Sequence, residues 1–291
     1  MKVDFVSQDY FDKNISELVK FALKEDIGSG DHTSLSTIPD NSVIEAQLLI
    51  KDKGKIAGID LAEYIFKYVD KNIELNKFFS DGDNAEYGDI AFKVKGKAQS
   101  ILTSERLVLN FMQRLSGIAT KSAYLTGLIK DYPTKLLDTR KTTPGLRFLE
   151  KWAVNIGGSY NHRIGLFDMI LIKDNHVDYA GSITNAVNLA NKYIEKNKLD
   201  IQIEVEIRNF DELNEILKLK NIVNRILLDN FTPENLEKAV KIVNKEIITE
   251  ASGGITEKNI VDFAKTGVDY ISSGALTNSV RSLDLSLKII K

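Results

Sequence analysis

Basic side chains gather between residues 138 and 176, a stretch that also holds two of the protein's three histidines. Its ionisable residues are placed around turns rather than along one solvated face: Arg140, Lys141, His162, Arg163 and Lys173. The chain as a whole has a formal net charge of −2. Because guanidinium and ammonium groups bind carboxylates and phosphates, such a cluster in a nearly neutral protein indicates a pocket for a small, multiply charged anion.

Short apolar strands alternate with helices from residue 135 onward, a pattern that predicts parallel βαβ units. The predicted strands are 135–137, 169–172, 201–207, 225–228, 247–251 and 270–272, and the predicted helices are 144–156, 183–194, 211–219, 233–243 and 256–265. Pro144 and Pro233 are expected at first helical positions, where the missing N–H costs nothing. No G-x-G-x-x-G follows the first strand, which favours a barrel over a dinucleotide-binding sheet. The strands are too few for eight, so we expect an incomplete barrel.

Polar residues fall at the ends of these predicted strands, the end at which α/β barrels carry their chemistry. Asp138, Thr139 and Arg140 follow the first strand, Lys173 the second, and Asp229 the fourth. In the third strand, Glu204 and Glu206 alternate and therefore share a face. Ser252, Gly253 and Gly254 follow the fifth strand, and Gly274 follows the sixth. Backbone amides at such turns bind phosphate oxygens, although glycines also serve ordinary turns.

The first part of the chain has a different pattern, with a helix at 15–24, strands at 43–50, 55–59 and 90–98, and a helix at 61–69. This pattern is typical of an α+β sandwich. A longer helix at 104–127 leads into the second part. We therefore predict an N-terminal domain at 1–115 and a barrel domain at 116–291, whose last helix returns to the N-terminal domain.

Composition excludes several classes of protein. A net charge of −2 argues against a nucleic-acid-binding surface. The absence of cysteine excludes disulfides, thiolate nucleophiles and cysteine–zinc sites. The first residues do not have the pattern of a signal peptide, and no apolar run approaches the roughly 18–20 residues that span a bilayer. We expect a cytoplasmic protein without a membrane partner.

Nine segments spread almost end to end carry a family resemblance. They are EDIGSGDHTS at 25–34, SERLVLNFMQRLSGIAT at 104–120, DTRKTTPGLRFLEKWAV at 138–154, NHR at 161–163, LIKDNH at 171–176, EVE at 204–206, LLDNFTPE at 227–234, ASGGI at 251–255 and GVDYISSGALTNS at 267–279. The chain resembles the quinolinate phosphoribosyltransferase family. This resemblance implies a seven-stranded α/β barrel after the N-terminal sandwich. It also implies phosphoribosyl transfer from phosphoribosyl pyrophosphate to quinolinate with Mg²⁺, giving nicotinate mononucleotide, pyrophosphate and carbon dioxide for NAD biosynthesis, in a homodimer.

The resemblance also implies roles for individual residues. Arg140, His162, Arg163 and Lys173 match positions that hold quinolinate, and Arg106 matches an arginine lent across the dimer interface. Lys141 matches a lysine on the pyrophosphate side, flanked by Thr139 and Thr142. Glu206 and Asp229 match acids near the ribose and the metal, with direct or indirect metal contact both left open. The expected 5′-phosphate loops contain Ser252, Gly253, Gly254 and Gly274, and the expected catalytic set is Lys141, Lys173, Glu206 and Asp229.

One departure from the family pattern and two rival functions stay open. Residues 157–160 read Gly-Gly-Ser-Tyr where many members have Gly-Gly-Gly-Glu. A paralogue associated with molybdenum transport would share the fold but bind another substrate; residues 161–163 and 173–176 favour quinolinate. A barrel without activity, serving as a binding module, is the second rival. For single residues, ordinary structural roles remain: His162 as a core histidine, Asp229 as a cap, and Arg106 as a partner of Glu105.

Overall fold

The computed structural model describes residues 1–290. The helices in this range are α1 Gln8–Ile27, α2 His32–Thr37, α3 Ile59–Val69, α4 Ala98–Leu128, α5 Arg147–Ile156, α6 Asp174–Ala180, α7 Ile183–Asn197, α8 Phe210–Ile216, α9 Pro233–Val243 and α10 Ile260–Lys265. The strands are β1 Val43–Ile50, β2 Gly54–Lys55, β3 Glu74–Lys77, β4 Asn84–Ala85, β5 Ile90–Lys97, β6 Lys135–Leu137, β7 Met169–Ile172, β8 Gln202–Ile207, β9 Arg225–Asp229, β10 Ile248–Ser252, β11 Tyr270–Ser272 and β12 Leu285–Ile289.

The chain divides into two compact units. The second unit comprises Tyr124–Lys141 and Ser159–Ala275. The first comprises Met1–Ala123, Thr142–Gly158 and the segment from Leu276 onward. Both units are discontinuous in sequence, whereas the predicted boundary between residues 115 and 116 divides the chain once. That boundary stays a prediction.

The first unit is built on a four-stranded antiparallel sheet in the order β12-β1-β5-β3. Alternate residues of β1 are buried, as a period of two requires when one face of a sheet packs on the core. The predicted last helix is wrong, since this segment forms strand β12. Its sequence LSLKI alternates with the same period, and Leu287 pairs with Leu48 of β1.

The predicted strand at 55–59 is also largely wrong, because only Gly54–Lys55 pairs, with β4. The chain turns after this short strand, and α3 begins at Ile59. Asp81 explains the turn: its carboxylate accepts the backbone amides of Gly58, Ile59 and Asp60 at 2.6, 2.9 and 3.3 Å. These amides have no partner within the helix, so the carboxylate of a distant residue fixes where the helix starts.

The second unit contains a parallel sheet of six strands in the order β6-β11-β10-β9-β8-β7. Six strands rather than seven pair in ladders, which corrects the expected number. Beside β6, Tyr160 forms a single parallel bridge with Leu137. The following residues reach the opposite edge, where the Arg163 guanidinium donates to the carbonyl of Met169 on β7 at 3.1 Å. An irregular segment therefore joins the two edge strands, and the sheet is an incomplete barrel, as predicted.

Two helices after residue 135 begin later than the sequence predicts. Pro233 is at the first position of α9, with Thr232 as the N-cap, as expected. Pro144 instead lies in a turn before α5, which begins at Arg147. Similarly, α10 begins at Ile260 and not at residue 256, because residues 256–259 form a turn first. No helix within residues 1–290 is long and apolar enough to cross a membrane.

Candidate active site

The carboxyl ends of the six parallel strands carry the polar residues that the sequence placed there. Thr139 and Arg140 follow β6, Lys173 follows β7, and Gly274 follows β11. Glu206 is the penultimate residue of β8, and Asp229 and Ser252 end β9 and β10, where they are direct neighbours in the ladder. The predicted arrangement of strand ends is confirmed, and it brings residues distant in sequence to one end of the barrel.

Glu206 of β8 and Asp229 of β9 form an acidic cluster at the carboxyl ends of these strands. Lys173 Nζ contacts Glu206 Oε2 at 2.8 Å. Burial raises the pKa of Asp229, and the negative charge of Glu206 raises it further, which shows that the two carboxyls interact. Asn230 Nδ2 donates to Asp229 Oδ2 at 2.5 Å and fixes its orientation. Two adjacent carboxylates favour positive charge between them, whether it belongs to a cation or to a reacting carbon.

Arg140 and Arg163 form a pair of positive charges, opposite in sign to the acidic cluster. Burial lowers the pKa of the Arg163 guanidinium, and the positive charge of Arg140 lowers it further. Two neighbouring cations repel each other, and a carboxylate between them removes that cost while accepting hydrogen bonds from both. This part of the site can therefore bind a small organic acid.

Two aspartates hold the loop that carries Arg163: Asp138, which the sequence placed after the first strand, and Asp168, which the sequence analysis missed. Asp138 is fully buried and accepts Asn161 Nδ2 at 2.6 Å and the backbone amide of His162 at 2.9 Å. Asp168 accepts two consecutive amides, those of Ile164 and Gly165, at 2.7 and 2.9 Å. For Asp168, the available signal was its position at the end of a loop without regular structure, directly before β7, because carboxylates commonly satisfy free backbone amides.

The departure at residues 159–160 is accommodated within the second unit. Ser159 Oγ and Thr126 Oγ1 are 2.8 Å apart, a hydrogen-bond distance. Tyr160 donates its amide to Leu136 at 2.8 Å and accepts the amide of Asp138 at 3.1 Å. Lys135 Nζ lies 4.9 Å from the centre of the Tyr160 ring. Tyr160 thus extends the edge of the sheet and leads the chain toward Arg163.

The glycine segments after β10 and β11 are shaped by close contacts. Gly253 has φ +98°, and a Cβ there would lie 2.9 Å from the backbone nitrogen of Asn230. A Cβ on Gly274 would lie 3.0 Å from Lys141 Cδ, so the loops after β6 and β11 are in contact. Gly254 also has a positive φ, with nothing within 4 Å of a Cβ. Because α10 begins later than predicted, the exposed amides that could bind phosphate belong to these loops and not to a helix N-terminus.

The remaining predicted residues have local roles. Thr139 Oγ1 accepts the amide of Lys141 at 3.0 Å and so shapes the turn after β6. Thr142 and Arg106 belong to the first unit. There, Thr142 Oγ1 accepts Arg147 Nε at 3.1 Å. Arg106 lies on α4, where its charge partly opposes the increase that burial causes in the pKa of Glu105.

Beneath these strand ends, the barrel interior contains a buried ionisable cluster. His162 Nε2 lies 2.9 Å from Glu204 Oε2 and 3.5 Å from Glu250 Oε1, and Arg225 Nη1 lies 3.0 Å from Glu250 Oε2. Burial raises the pKa of Glu204 to about 6. Burial, followed by the charge of Glu204, raises that of Glu250 to about 7.

Glu250 and Arg225 were missed at the sequence level. The period of two was the available signal, since it places Glu250 on the face of Ser252 and Arg225 on the face of Asp229. Both faces point into the barrel with the predicted site residues.

Comparison with known proteins identifies the family. A model described as the N-terminal domain of quinolinate phosphoribosyl transferase matches residues 31–116, and the model of the C-terminal domain matches residues 118–288. The chain belongs to the quinolinate phosphoribosyltransferase family. Both family domains are thus present in a single chain.

Relatives of this family match over most of the chain. Quinolinate phosphoribosyltransferase [decarboxylating] 1b of Nicotiana tabacum is 47% identical over 292 residues, which cover 95% of the chain and 82% of the relative. The probable nicotinate-nucleotide pyrophosphorylase [carboxylating] of Bacillus subtilis is 42% identical over 94% of the chain and 93% of the relative. The structure of the nicotinate-nucleotide pyrophosphorylase from Francisella tularensis has a TM-score of 0.90 at 41% identity, covering 99% of the chain and 100% of that structure. The quinolinate phosphoribosyltransferase fold therefore extends over the whole described chain.

Proposed function

We propose that this protein transfers the phosphoribosyl group of phosphoribosyl pyrophosphate to quinolinate with decarboxylation, producing nicotinate mononucleotide, pyrophosphate and carbon dioxide for NAD biosynthesis. It is a pentosyltransferase. The observation that carries this proposal is the presence, in one barrel, of the Arg140–Arg163 pair and of the acidic cluster of Glu206 and Asp229. One substrate is an organic dianion, and the other develops positive charge as it reacts, so the site has a partner for each.

Binding and positioning account for the first chemical step. Arg140 and Arg163 grip the carboxylates of quinolinate through their planar forks. The ring nitrogen then faces the anomeric carbon of the ribose, and a bimolecular collision becomes a positioned reaction. As the bond to pyrophosphate breaks, positive charge grows on the ribose, where Glu206 and Asp229 stabilise it. Lys141 balances the charge of the leaving pyrophosphate, and the loops of Ser252, Gly253, Gly254 and Gly274 bind the 5′-phosphate.

Decarboxylation follows from the charge on the alkylated ring. Once the ring nitrogen is bonded to carbon it is cationic, and the adjacent carboxylate leaves as carbon dioxide while its bonding electrons remain on the ring carbon beside that nitrogen. This carbon then takes a proton in place of the lost carboxylate. Lys173 lies at the strand ends and His162 beneath them, and no nucleophilic side chain is needed.

Magnesium is part of the proposal. Glu206 and Asp229 present the hard oxygen donors that Mg²⁺ prefers, and the interaction between their charges favours a cation near them. The ion would supply charge neutralisation for the pyrophosphate. Lys173, at 2.8 Å from Glu206, already provides one positive charge there, which favours a metal held chiefly by the substrate and only indirectly by these acids.

A homodimer in which Arg106 completes the partner's site is the further element of this proposal, supported by the family membership. Arg106→Ala and Lys173→Ala should each be inactive alone, and mixing the two variants should restore part of the activity. Subunit exchange must be verified with differently tagged chains. Exchange without any restored activity would contradict a shared site.

We also propose a cytoplasmic location, without nucleic-acid or membrane partners. Among the relatives, one from Nicotiana tabacum is named mitochondrial and one from Arabidopsis thaliana is named chloroplastic. Fractionation of source cells with an antibody against this chain tests the location, and recovery in an organelle or membrane fraction would contradict it.

The decisive assay follows nicotinate mononucleotide from purified protein, Mg²⁺ and phosphoribosyl pyrophosphate with either quinolinate or nicotinate. Product and carbon dioxide are expected only with quinolinate. Product from nicotinate alone would assign the protein another substrate within the fold. Absence of both products, in protein that binds neither substrate, would instead support a binding module without this activity.

A further inference from the structure

A chain of short contacts leads from the interior of the second unit to Arg163, and it begins at two glutamates outside the binding set. Glu204 lies on β8 and Glu250 on β10, and both side chains are fully buried. One carboxylate oxygen from each and a ring nitrogen of His162 lie within 4.8 Å of one another. These glutamates lie below the strand ends and make their close contacts with protein groups.

We infer that Glu204 and Glu250 are positioning residues that hold the ring of His162 as its Nε2–H tautomer, so that Nδ1 accepts and fixes the backbone amide of Arg163. The tautomer is a property of the folded protein alone. Only its consequence for quinolinate binding rests on the proposed function.

The contacts of the His162 ring define its tautomer. The amide of Arg163 donates to His162 Nδ1 at 2.7 Å, so Nδ1 acts as an acceptor and carries no proton. The ring proton of the neutral form must then be on Nε2, the atom that faces Glu204 at 2.9 Å and Glu250 at 3.5 Å. Both ring nitrogens are therefore engaged within the protein.

The buried carboxylates of Glu204 and Glu250 also favour the Nε2–H tautomer, because it directs a hydrogen-bond donor toward them. Neither Glu204 oxygen nor Glu250 Oε1 has a well-aligned hydrogen bond among residues 1–290, and His162 Nε2 approaches Glu204 Oε2 to 2.9 Å and Glu250 Oε1 to 3.5 Å. A buried acceptor without a donor is unfavourable, because its hydration has been lost without compensation. Turning the His162 ring over, or moving its proton to Nδ1, would remove the N–H that faces these oxygens and would place two N–H groups against each other at Arg163.

Arg225 supplies the positive charge of the cluster. Its guanidinium contacts Glu250 at 3.0 Å and packs 4.5 Å from the centre of the Tyr270 ring. The spacing of His162, Glu204 and Glu250 also resembles that of metal ligands. However, a second cation beside a permanently charged guanidinium would be repelled, which favours the hydrogen-bonding role.

The expected benefit is the placement of Arg163. Its amide is held by His162, and its guanidinium donates to the carbonyl of Met169 at 3.1 Å. A side chain anchored at both ends loses little freedom when a carboxylate binds it. Without the glutamate acceptors, the ring of His162 would no longer hold the amide, and quinolinate binding would weaken before any other step.

Histidine-selective ¹⁵N labelling tests the tautomer directly. The chain has three histidines, so single substitutions of His32 and His176 assign the spectrum. For the wild-type protein, the His162 nitrogens should have the shifts of a single neutral Nε2–H form, whereas the exposed His32 should show averaged tautomers. Shifts of His162 that indicate the Nδ1–H form, or an average like that of His32, would overturn the inference.

Two substitutions at Glu204 distinguish the loss of its hydrogen-bond acceptor from a change in packing. Glu204→Met removes the acceptor at similar size, so the His162 nitrogens should move toward averaged shifts. The KM for quinolinate should rise about tenfold while the KM for phosphoribosyl pyrophosphate changes less than about twofold. Glu204→Gln keeps an acceptor oxygen and should recover most of the wild-type values. Unchanged His162 shifts in a folded Met variant would refute the positioning role.

Glu212→Met is the matched control. Glu212 lies on α8 of the same unit and accepts the backbone amide of Arg208 at 2.7 Å, away from His162. This variant should leave the His162 shifts and both KM values unchanged. If the Glu204→Met variant does not fold, the wild-type shifts and the Gln variant still decide. If the protein does not use quinolinate, the proposed function fails while the nitrogen shifts continue to test the tautomer.

Discussion

Replacing Glu250 with glutamine should change how the stability of the protein depends on pH. Burial and the neighbouring charge of Glu204 raise the pKa of Glu250 to about 7, from its ordinary value of 4.5. The folded protein therefore keeps this proton to a higher pH than the unfolded chain does. Consequently, the free energy of unfolding should fall as the pH rises from about 4.5 to about 7, and Glu250→Gln should lack this contribution because an amide does not titrate.

The size of the effect follows from the shift. One pKa unit corresponds to about 1.4 kcal/mol, so the wild-type protein should lose about 3 kcal/mol of stability through Glu250 over this range. The groups facing Glu250 are Glu204, His162, Arg225 and Ser272. Of these, Glu204, with a pKa raised to about 6, contributes with the same sign.

Urea unfolding followed by circular dichroism, at a series of pH values, measures this difference through linear extrapolation. The exposed Glu246, which pairs with Lys220 at 2.8 Å, provides the control substitution Glu246→Gln. The control should follow the wild-type curve, and Glu250→Gln should approach or exceed wild-type stability as the pH rises. Parallel curves for Glu250→Gln and the wild-type protein would refute the reasoning.

Three further substitutions test the site and its support. Gly253→Ala should lose at least about 1 kcal/mol of stability, because the alanine would need φ +98° and its Cβ would press on the Asn230 amide; it should also raise the KM for phosphoribosyl pyrophosphate more than that for quinolinate, and equal increases would contradict a 5′-phosphate loop. Arg140→Lys should raise the KM for quinolinate about tenfold through loss of the planar fork, whereas near-normal affinity would remove Arg140 from its role. Arg114→Met should cost about 3–5 kcal/mol in urea unfolding, because the fully buried Glu150, 2.9 Å from Arg114, would lose its charged partner; a loss below about 1 kcal/mol would show that Glu150 is otherwise satisfied.

The barrel strands could be predicted from the sequence because each is a short apolar run bounded by polar turns. Strands β6, β7 and β11 have the predicted bounds, β8 and β9 differ by one residue at one end, and β10 is shifted by one residue. The positions of Lys173 and Asp229 follow directly, since parallel strands present their carboxyl ends on one side. These features depend on local pattern alone, and local pattern is what a single sequence contains.

Features that depend on contacts between distant residues could not be predicted in the same way. The start of α3 is set by Asp81. Beside β6, the chain forms a single bridge between Tyr160 and Leu137 in place of a seventh strand. The contact of His162 with Glu204 joins the loop beside β6 to β8, which is four positions away from β6 in the sheet order, and only the closure of the barrel makes this contact possible. Because no local pattern specifies such contacts, the interior cluster was visible only as a period of two in β9 and β10.

The pairing of β12 with β1 has a consequence for biosynthesis. A ribosome produces β1 early, but its partner emerges only after every strand of the parallel sheet has been translated. Until then, the backbone groups on that side of β1 have no partner, and a nascent chain with an open strand edge invites chaperones or neighbouring nascent chains. The second unit can therefore fold while translation continues, whereas the sheet of the first unit is completed only after the segment that forms β12 has been translated.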